Sequence, residues 1–158
     1  MNVYSEVFVP GGGSSLDSSA TKEWMTEVFP EMYDKSAKDI CLGNEGTLCV
    51  ILLTNQKPSK EMKDVFEQLN SKFETKLDRG VHFKFMWLNA VVEKKWAELF
   101  GYSGSEKVVI LNPGKRKRYT EHDGPIQKEK ISETLDAISG GNARFNRVGE
   151  IPLFEMRA

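Results

Sequence analysis

Residues 47–89 decide the fold and read TLCVILLTN (47–55), QKPSKEMKDVFEQLNSKFETKLDRG (56–80) and VHFKFMWLN (81–89). The first run is almost wholly apolar, which is typical of a strand buried on both faces. The third run alternates at first and then becomes continuously apolar, which indicates a second strand. A strand, a long helix and a strand within this length predict a βαβ unit with a parallel sheet.

The middle run predicts an amphipathic helix. Pro58 suits its first turn, and Gly80 suits its end because glycine accepts a left-handed conformation. The charged residues occupy the opposite face from the apolar ones, which are spaced three and four apart. These apolar residues are Met62, Val65, Phe66, Leu69, Phe73 and Leu77.

The chain after this unit predicts a second helix, a hairpin and a last helix. Asn89 is a candidate cap for the second helix, which ends at Gly101. Residues 107–111 (KVVIL) predict a buried strand, and residues 115–120 (KRKRYT) predict a polar antiparallel partner. The apolar stripes of the two helices are Val92, Trp96, Leu99 and Phe100, and then Ile131, Leu135 and Ile138.

The chain before the unit is less regular. Residues 1–9 indicate a short strand or packed arm, and PGGGSS (10–15) is typical of a flexible loop. Asp17, Ser18 and Ser19 are candidate helix caps. Residues 27–33 either continue a short helix or supply an edge strand, the only strand position that tolerates Pro30. Residues 35–41 predict a further short helix.

Composition limits the function classes. The chain has 158 residues, 39% of them hydrophobic and 28% charged, as expected of one globular domain. A net charge of −1 argues against a general nucleic-acid binder. The sequence contains no run of about 18 apolar residues, so no membrane span is predicted. The start, MNVYSEVFVPGGGSS, lacks the pattern expected of a signal peptide.

Three segments resemble a thioredoxin-like domain of the protein disulfide isomerase family. They are CLGNEGTLCVILL (41–53), FKFMWLNA (83–90) and GYSGSEKVVILNPGKRKRY (101–119). The likeness is to the redox-inactive domain that follows the catalytic domains in members with two tandem catalytic domains, and it covers about residues 27–139. It implies a thioredoxin-like α/β fold with a central mixed sheet of four to five strands flanked by helices. We expect an N-terminal extension (1–26), the domain itself (27–141) and a C-terminal tail (142–158).

The chain departs from the catalytic members of that family at two places. Where they carry Cys-x-x-Cys, at the start of the helix after the first central strand, this chain has Asn55-Gln56-Lys57-Pro58. Where their cis-proline precedes the hairpin strand, this chain has Glu106. Thiol–disulfide exchange needs an activated thiolate, usually at a helix N-terminus. The resemblance therefore implies a non-catalytic domain, without a catalytic residue or cofactor.

Cys41 and Cys49 are the only two cysteines. They form a structural disulfide in an oxidising compartment, remain two buried thiols in a reducing one, or have a redox role. A bridge across so short a loop would add roughly 2–3 kcal/mol of stability. His82 and His122 lack partners at ligand spacing, so no metal site is predicted.

Two groups of residues are candidates for protein binding. The first group is Trp96, Phe100 and Tyr102, because non-catalytic domains of the resembled family offer apolar surfaces to clients. The alternative for Trp96 and Phe100 is ordinary core, whereas Tyr102, in a Gly/Ser-rich loop, is expected to be exposed. The second group is the basic run Lys115, Arg116, Lys117 and Arg118. It either contacts an acidic partner or forms a solvated strand whose charges discourage edge-to-edge pairing.

The preferred hypothesis is a redox-inactive domain that binds client proteins or a chaperone partner during oxidative folding in the endoplasmic reticulum lumen. The first alternative is a thiol–disulfide oxidoreductase that uses Cys41 and Cys49. The second alternative is a cytoplasmic thioredoxin-like adaptor whose basic hairpin grips an acidic partner. The sequence predicts neither the client nor the oligomeric state.

Overall fold

The computed structural model describes residues 23–43, 46–74, 82–114, 116–141 and 143–156. Within these residues the strands are β1 (Thr47–Thr54), β2 (His82–Asn89), β3 (Lys107–Asn112), β4 (Arg118–Glu121) and β5 (Asn146–Arg147). The α-helices are α1 (Lys60–Glu74), α2 (Lys94–Leu99) and α3 (Lys128–Ser139). A 3-10 turn (Glu23–Met25) and a π-helical segment (Lys38–Leu42) precede β1.

The five strands form one mixed sheet in the order β2-β1-β3-β4-β5. β1 pairs with β2 in parallel and with β3 antiparallel, and the pairs β3–β4 and β4–β5 are antiparallel. The thioredoxin-like α/β prediction, with its central mixed sheet, is confirmed. β1 is buried from Cys49 to Thr54, as its apolar sequence predicts for a central strand covered on both faces.

Alternate residues of the strands feed two hydrophobic cores, one on each face of the sheet. Val50 and Leu52 point towards α1 and α3, in the core that also contains Phe66 and Leu135. Cys49, Ile51 and Leu53 point towards the other core, which also contains Ile40 and Trp96. This division follows from the two-residue period of side chains along a strand.

Residues 30–32 lie along the free edge of β2. The Trp87 N–H donates to the Pro30 carbonyl at 3.0 Å, and the Met32 N–H donates to the Trp87 carbonyl at 2.8 Å. Proline has no N–H to donate, so it suits a strand position with a partner on one side only. Of the two interpretations of residues 27–33, the edge pairing is the one observed.

Three predicted helix boundaries differ from the structure. The helix predicted over 35–41 is the π-helical segment Lys38–Leu42, and its last turn is closed by the Gly43 N–H donating to the Lys38 carbonyl at 3.1 Å. Pro58 precedes α1, which is capped by Ser59 accepting from the Met62 N–H at 3.2 Å. Asn89 accepts from the N–H groups of Val91 and Val92 and so closes the turn before α2.

Some predictions lie outside the described residues. They are the arm and loop at 1–15, the candidate caps Asp17, Ser18 and Ser19, the end of the long helix with Leu77 and Gly80, and Lys115. Among the helices that are described, none combines the length and the apolar character needed to cross a membrane.

Candidate functional site

The C-terminal ends of β1 and β2 form one polar edge, called the C-terminal edge here and made of residues 54–59, 89–93 and Glu106. Thr54 is paired with Asn89, and the Ala90 N–H donates to the Thr54 carbonyl at 2.8 Å. The Thr54 hydroxyl, which is buried, donates to Glu106 Oε2 at 3.0 Å. At the positions that the resemblance assigns to the thiol pair and the cis-proline, the chain therefore has no thiol group at residues 55–58 and a carboxylate at Glu106.

Lys107 holds the hairpin against the end of α2. Its ammonium group donates to the Phe100 carbonyl at 2.6 Å and forms an ion pair with Glu121. Gly101 has a positive φ of 67°, which lets the chain leave the helix. A cation at the C-terminal end of a helix is favourable because free carbonyl groups point there.

Two adjacent valines make the C-terminal edge partly apolar. Val91 is 55% exposed and Val92 is 38% exposed. Their backbone is fixed by Asn89, whose side-chain oxygen accepts from both N–H groups at 3.1 and 3.3 Å. This fixed turn presents two branched apolar side chains to solvent, beside the exposed polar residues 55–57.

Trp96 and Phe100 do not form an exposed binding surface, so that interpretation is corrected. Trp96 is 0% exposed and Phe100 is 1% exposed, and both belong to the core that contains Cys49. Their helical spacing is compatible with a buried face and with an exposed face of the helix. Only the residues that pack on them in the folded chain decide between the two. Tyr102 is half-buried against the same core.

The cover over Trp96 comes from the C-terminal segment. The Phe154 ring stacks on the Trp96 ring with their centroids 4.8 Å apart. The Glu155 N–H donates to Oε1 of Glu93 at 2.9 Å, and Glu93 is itself only 1% exposed. Residues predicted as a tail therefore pack on the domain and complete one of its cores.

Cys41 and Cys49 are bonded to each other, with their Cα atoms 5.9 Å apart. Both residues are 0% exposed. The bridge joins the π-helical segment to β1 within the core. Exchange with another thiol requires access to a sulfur atom, which this burial prevents.

The basic run lies at the opposite edge of the sheet from β2. Arg116 and Arg118 are exposed, and Lys117 is half-buried. The structure adds two residues that sequence reasoning missed, Arg147 and Phe145. Arg147 lies on β5 directly opposite Arg118, and the Arg118 guanidinium lies 5.2 Å from the centroid of the Phe145 ring. No local pattern in the tail sequence indicated that β5 would pair with β4.

The two histidines lie apart. His82 begins β2 and is exposed, whereas His122 is buried, with its ring nitrogens 2.6 Å from Thr134 Oγ1 and 2.8 Å from the Pro125 carbonyl. Near His82, burial lowers the pKa of Lys84 below its usual value. Within the described ranges, no three His, Cys, Asp or Glu side chains are placed to hold a metal ion together.

Comparison with known proteins relates the chain to one family. A family model described as the PDIA6-like, C-terminal thioredoxin-like domain matches residues 19–143. The chain is also 28% identical over 124 residues to the "Putative protein disulfide-isomerase" of Dictyostelium discoideum. That match covers 76% of this chain but only 29% of the Dictyostelium protein, so the chain corresponds to less than a third of its relative.

Solved structures share the fold at low identity. Human ERp44 (form I) gives a TM-score of 0.52 and 12% identity, covering 70% of this chain and 29% of ERp44. Chloroplastic thioredoxin z gives 0.50 and 14%, covering 73% of this chain and 98% of thioredoxin z. Full-length ERdj5 gives 0.52 and 10%, covering 79% of this chain and 18% of ERdj5. At these identities the likeness shows the fold alone.

Proposed function

Because the chain belongs to the family of PDIA6-like C-terminal thioredoxin-like domains, we propose that it binds client proteins or a chaperone partner without catalysing thiol–disulfide exchange. One observation carries this proposal. At the C-terminal edge, where a catalytic relative would carry its thiol pair, residues 55–58 contain no cysteine, while Val91 and Val92 are exposed beside them. An unfolded client or an apolar partner surface would bind to exposed apolar side chains of this kind.

The compartment that we propose is the lumen of the endoplasmic reticulum. Family membership supports it, and so does the bonding of Cys41 to Cys49, because disulfides persist in oxidising compartments. The whole protein of which such domains form part would be a protein disulfide isomerase relative, in which this domain binds and neighbouring domains exchange disulfides.

A thiol–disulfide oxidoreductase that uses Cys41 and Cys49 is the less favoured function. The attacking group in exchange is a thiolate that must reach a sulfur atom of the substrate. Both cysteines lie in the core at 0% exposure, away from the loop that carries thiols in catalytic relatives. Insulin reduction tests this directly: we expect no precipitation of the insulin B chain above the background with dithiothreitol alone. A rate comparable to that of a thioredoxin would refute the non-catalytic proposal.

Binding is tested with a reduced, carbamidomethylated protein as a permanently unfolded client, because this alkylation adds no charge to the client. We expect the double variant Val91→Asp/Val92→Asp to weaken binding at least about tenfold, equivalent to about 1.4 kcal/mol. The charges are placed on exposed side chains, so circular dichroism and the melting temperature should stay close to those of the wild type.

The matched control is Met25→Asp/Val28→Asp. These residues are also exposed and apolar, at 59% and 36%, but they precede the edge pairing with β2 and lie outside the C-terminal edge. The control variant should bind the client as the wild type does. Equal losses in both variants, or none in either, would contradict the assignment of binding to Val91 and Val92.

A further inference from the structure

A groove of about 540 Å³ lies between β4 and the segment that contains β5. Its lining includes Arg116, Lys117 and Arg118 from one side and Phe145 and Arg147 from the other. The two sides are held together by the Val148 N–H, which donates to the Lys117 carbonyl at 2.9 Å. Four cationic side chains therefore converge on one concave surface, although Arg147 is far from the others in sequence.

The described residues around these charges do not neutralise them. Among the described residues that line the groove, none carries a carboxylate. Within the described part of the chain, none of the four cationic side chains forms an ion pair. At the other end of the same hairpin, by contrast, Lys107 forms an ion pair with Glu121.

The strand register makes this arrangement costly unless an anion compensates it. Arg118 and Arg147 are direct cross-strand partners, and like charges in that position are destabilising. The Arg118 guanidinium also packs over the Phe145 ring, which orients its N–H groups before any ligand arrives. Charges that merely protect a sheet edge need neither a concave surface nor two arginines opposite each other.

We propose that this groove binds an acidic segment of a partner protein, with Arg118 and Arg147 contacting side-chain carboxylates. The planar guanidinium group matches the two oxygens of a carboxylate, and such contacts are stronger than neutral hydrogen bonds. A nucleic acid would require a longer positive surface than these residues form, and the whole chain carries a net charge of −1. The groove lies at the β5 edge of the sheet, so it is a second surface, separate from the C-terminal edge.

The probe for this proposal is a fluorescent peptide of alternating Asp and Glu residues, followed by anisotropy with the full chain. We expect saturable binding that weakens as salt is added, because the charges involved are exposed. The variant Arg118→Gln/Arg147→Gln should lose at least about tenfold in affinity, or about 1.4 kcal/mol. It should remain folded, since it removes a like-charge pair.

Two further variants distinguish binding in the groove from attraction by the overall charge of the protein. Lys60→Gln/Lys63→Gln removes the same amount of charge from exposed positions on α1, and it should bind the peptide as the wild type does. Arg118→Lys/Arg147→Lys keeps the charge but loses the planar fork, so its affinity should lie between those of the wild type and the glutamine variant. Equal losses in the α1 variant would overturn the proposal.

The test also distinguishes other anions and the two surfaces. A single-stranded oligonucleotide of equal charge that binds more tightly than the peptide would overturn the proposal in favour of a nucleic-acid surface. Val91→Asp/Val92→Asp should leave acidic-peptide binding unchanged, and Arg118→Gln/Arg147→Gln should leave binding of the unfolded client unchanged. Failure of one proposal would therefore leave the other standing.

Discussion

Thr54 and Glu106 lie at the edge of the sheet that, by the family resemblance, carries the thiol pair and the cis-proline in catalytic relatives. The Thr54 hydroxyl sits at the end of the most buried strand, and the Glu106 carboxylate accepts its hydrogen bond. A buried hydroxyl without a partner would be destabilising. Glu106, which the resemblance places where catalytic relatives have their cis-proline, supplies that partner. The edge is therefore polar at this point, while Val91 and Val92 are exposed.

Lys84 provides a prediction about pH. It is half-buried on β2, lines a pocket with Asp39 and His82, and its ammonium lies 3.4 Å from the Glu27 carbonyl. Desolvation lowers its pKa in the folded state. Between that lowered pKa and the ordinary value, the unfolded chain binds more protons than the folded one, so stability rises with pH. Lys84→Met should thus be more stable near neutral pH, by less than about 1 kcal/mol since the amine is partly solvated.

Urea unfolding at pH values between about 8 and 11 measures this effect. The advantage of Lys84→Met over the wild type should shrink as the pH rises, because the wild-type amine loses its charge. Lys94→Met, on an exposed residue of α2, serves as the control and should show no such trend. An advantage that grows with pH would contradict the assigned direction of the pKa.

At the level of the elements, α2 and the C-terminal segment depend on each other. α2 has only six residues, too short to be stable alone, and it is fixed by packing and by Lys107 at its end. The C-terminal segment covers its buried face through the stack of Phe154 on Trp96. Both elements are therefore expected to lose order together when this contact is removed.

Phe154→Ala should lower the free energy of unfolding by about 1–2 kcal/mol, through lost apolar burial and the lost ring pair. It should also make Trp96 accessible to acrylamide, measured as fluorescence quenching in a Trp24→Phe/Trp87→Phe background. Leu153→Ala, at a neighbouring residue that is 79% exposed, is the matched control and should stay within about 0.5 kcal/mol. An unchanged quenching constant in Phe154→Ala would show that residues other than Phe154 shield Trp96 from solvent.

At the level of the whole molecule, β1 couples the two cores because its alternate residues belong to opposite faces of the sheet. The bond between Cys41 and Cys49 adds a covalent link from β1 to the π-helical segment. It closes a loop with a sequence separation of eight, so the chain-entropy model gives roughly 2–3 kcal/mol of stabilisation. The stability of the whole domain should therefore depend on the redox state of its surroundings.

Adding dithiothreitol should lower the urea midpoint of the wild type by an amount equivalent to roughly 2–3 kcal/mol. Cys41→Ala/Cys49→Ala should show a lowered midpoint without reductant and no further response to it. The supporting measurement is the mass of the unreduced wild type after alkylation in denaturant. Uptake of labels on both cysteines before reduction would contradict the bridge.

The sequence alone determined the central features of the domain. The apolar run at 47–54 predicts a strand buried on both faces, and the spacing from Met62 to Phe73 predicts the helix that covers one face. The order of these elements also predicts the thioredoxin-like fold, and the family resemblance implies that Asn55–Pro58 stands where catalytic members carry their thiol pair. These features are local, because hydrophobic periodicity records which side of an element is buried.

Only the tertiary structure decided which distant segments meet. The stripe of Trp96 and Phe100 is equally compatible with a core and with a binding surface, and the stack with Phe154 resolves it. The pairing of Arg118 with Arg147 depends on the register of a two-residue strand, which carries almost no sequence signal. Periodicity states that a face is buried, but it does not identify what covers it. Both surfaces proposed for partners therefore arise from contacts and exposures that only the folded chain defines.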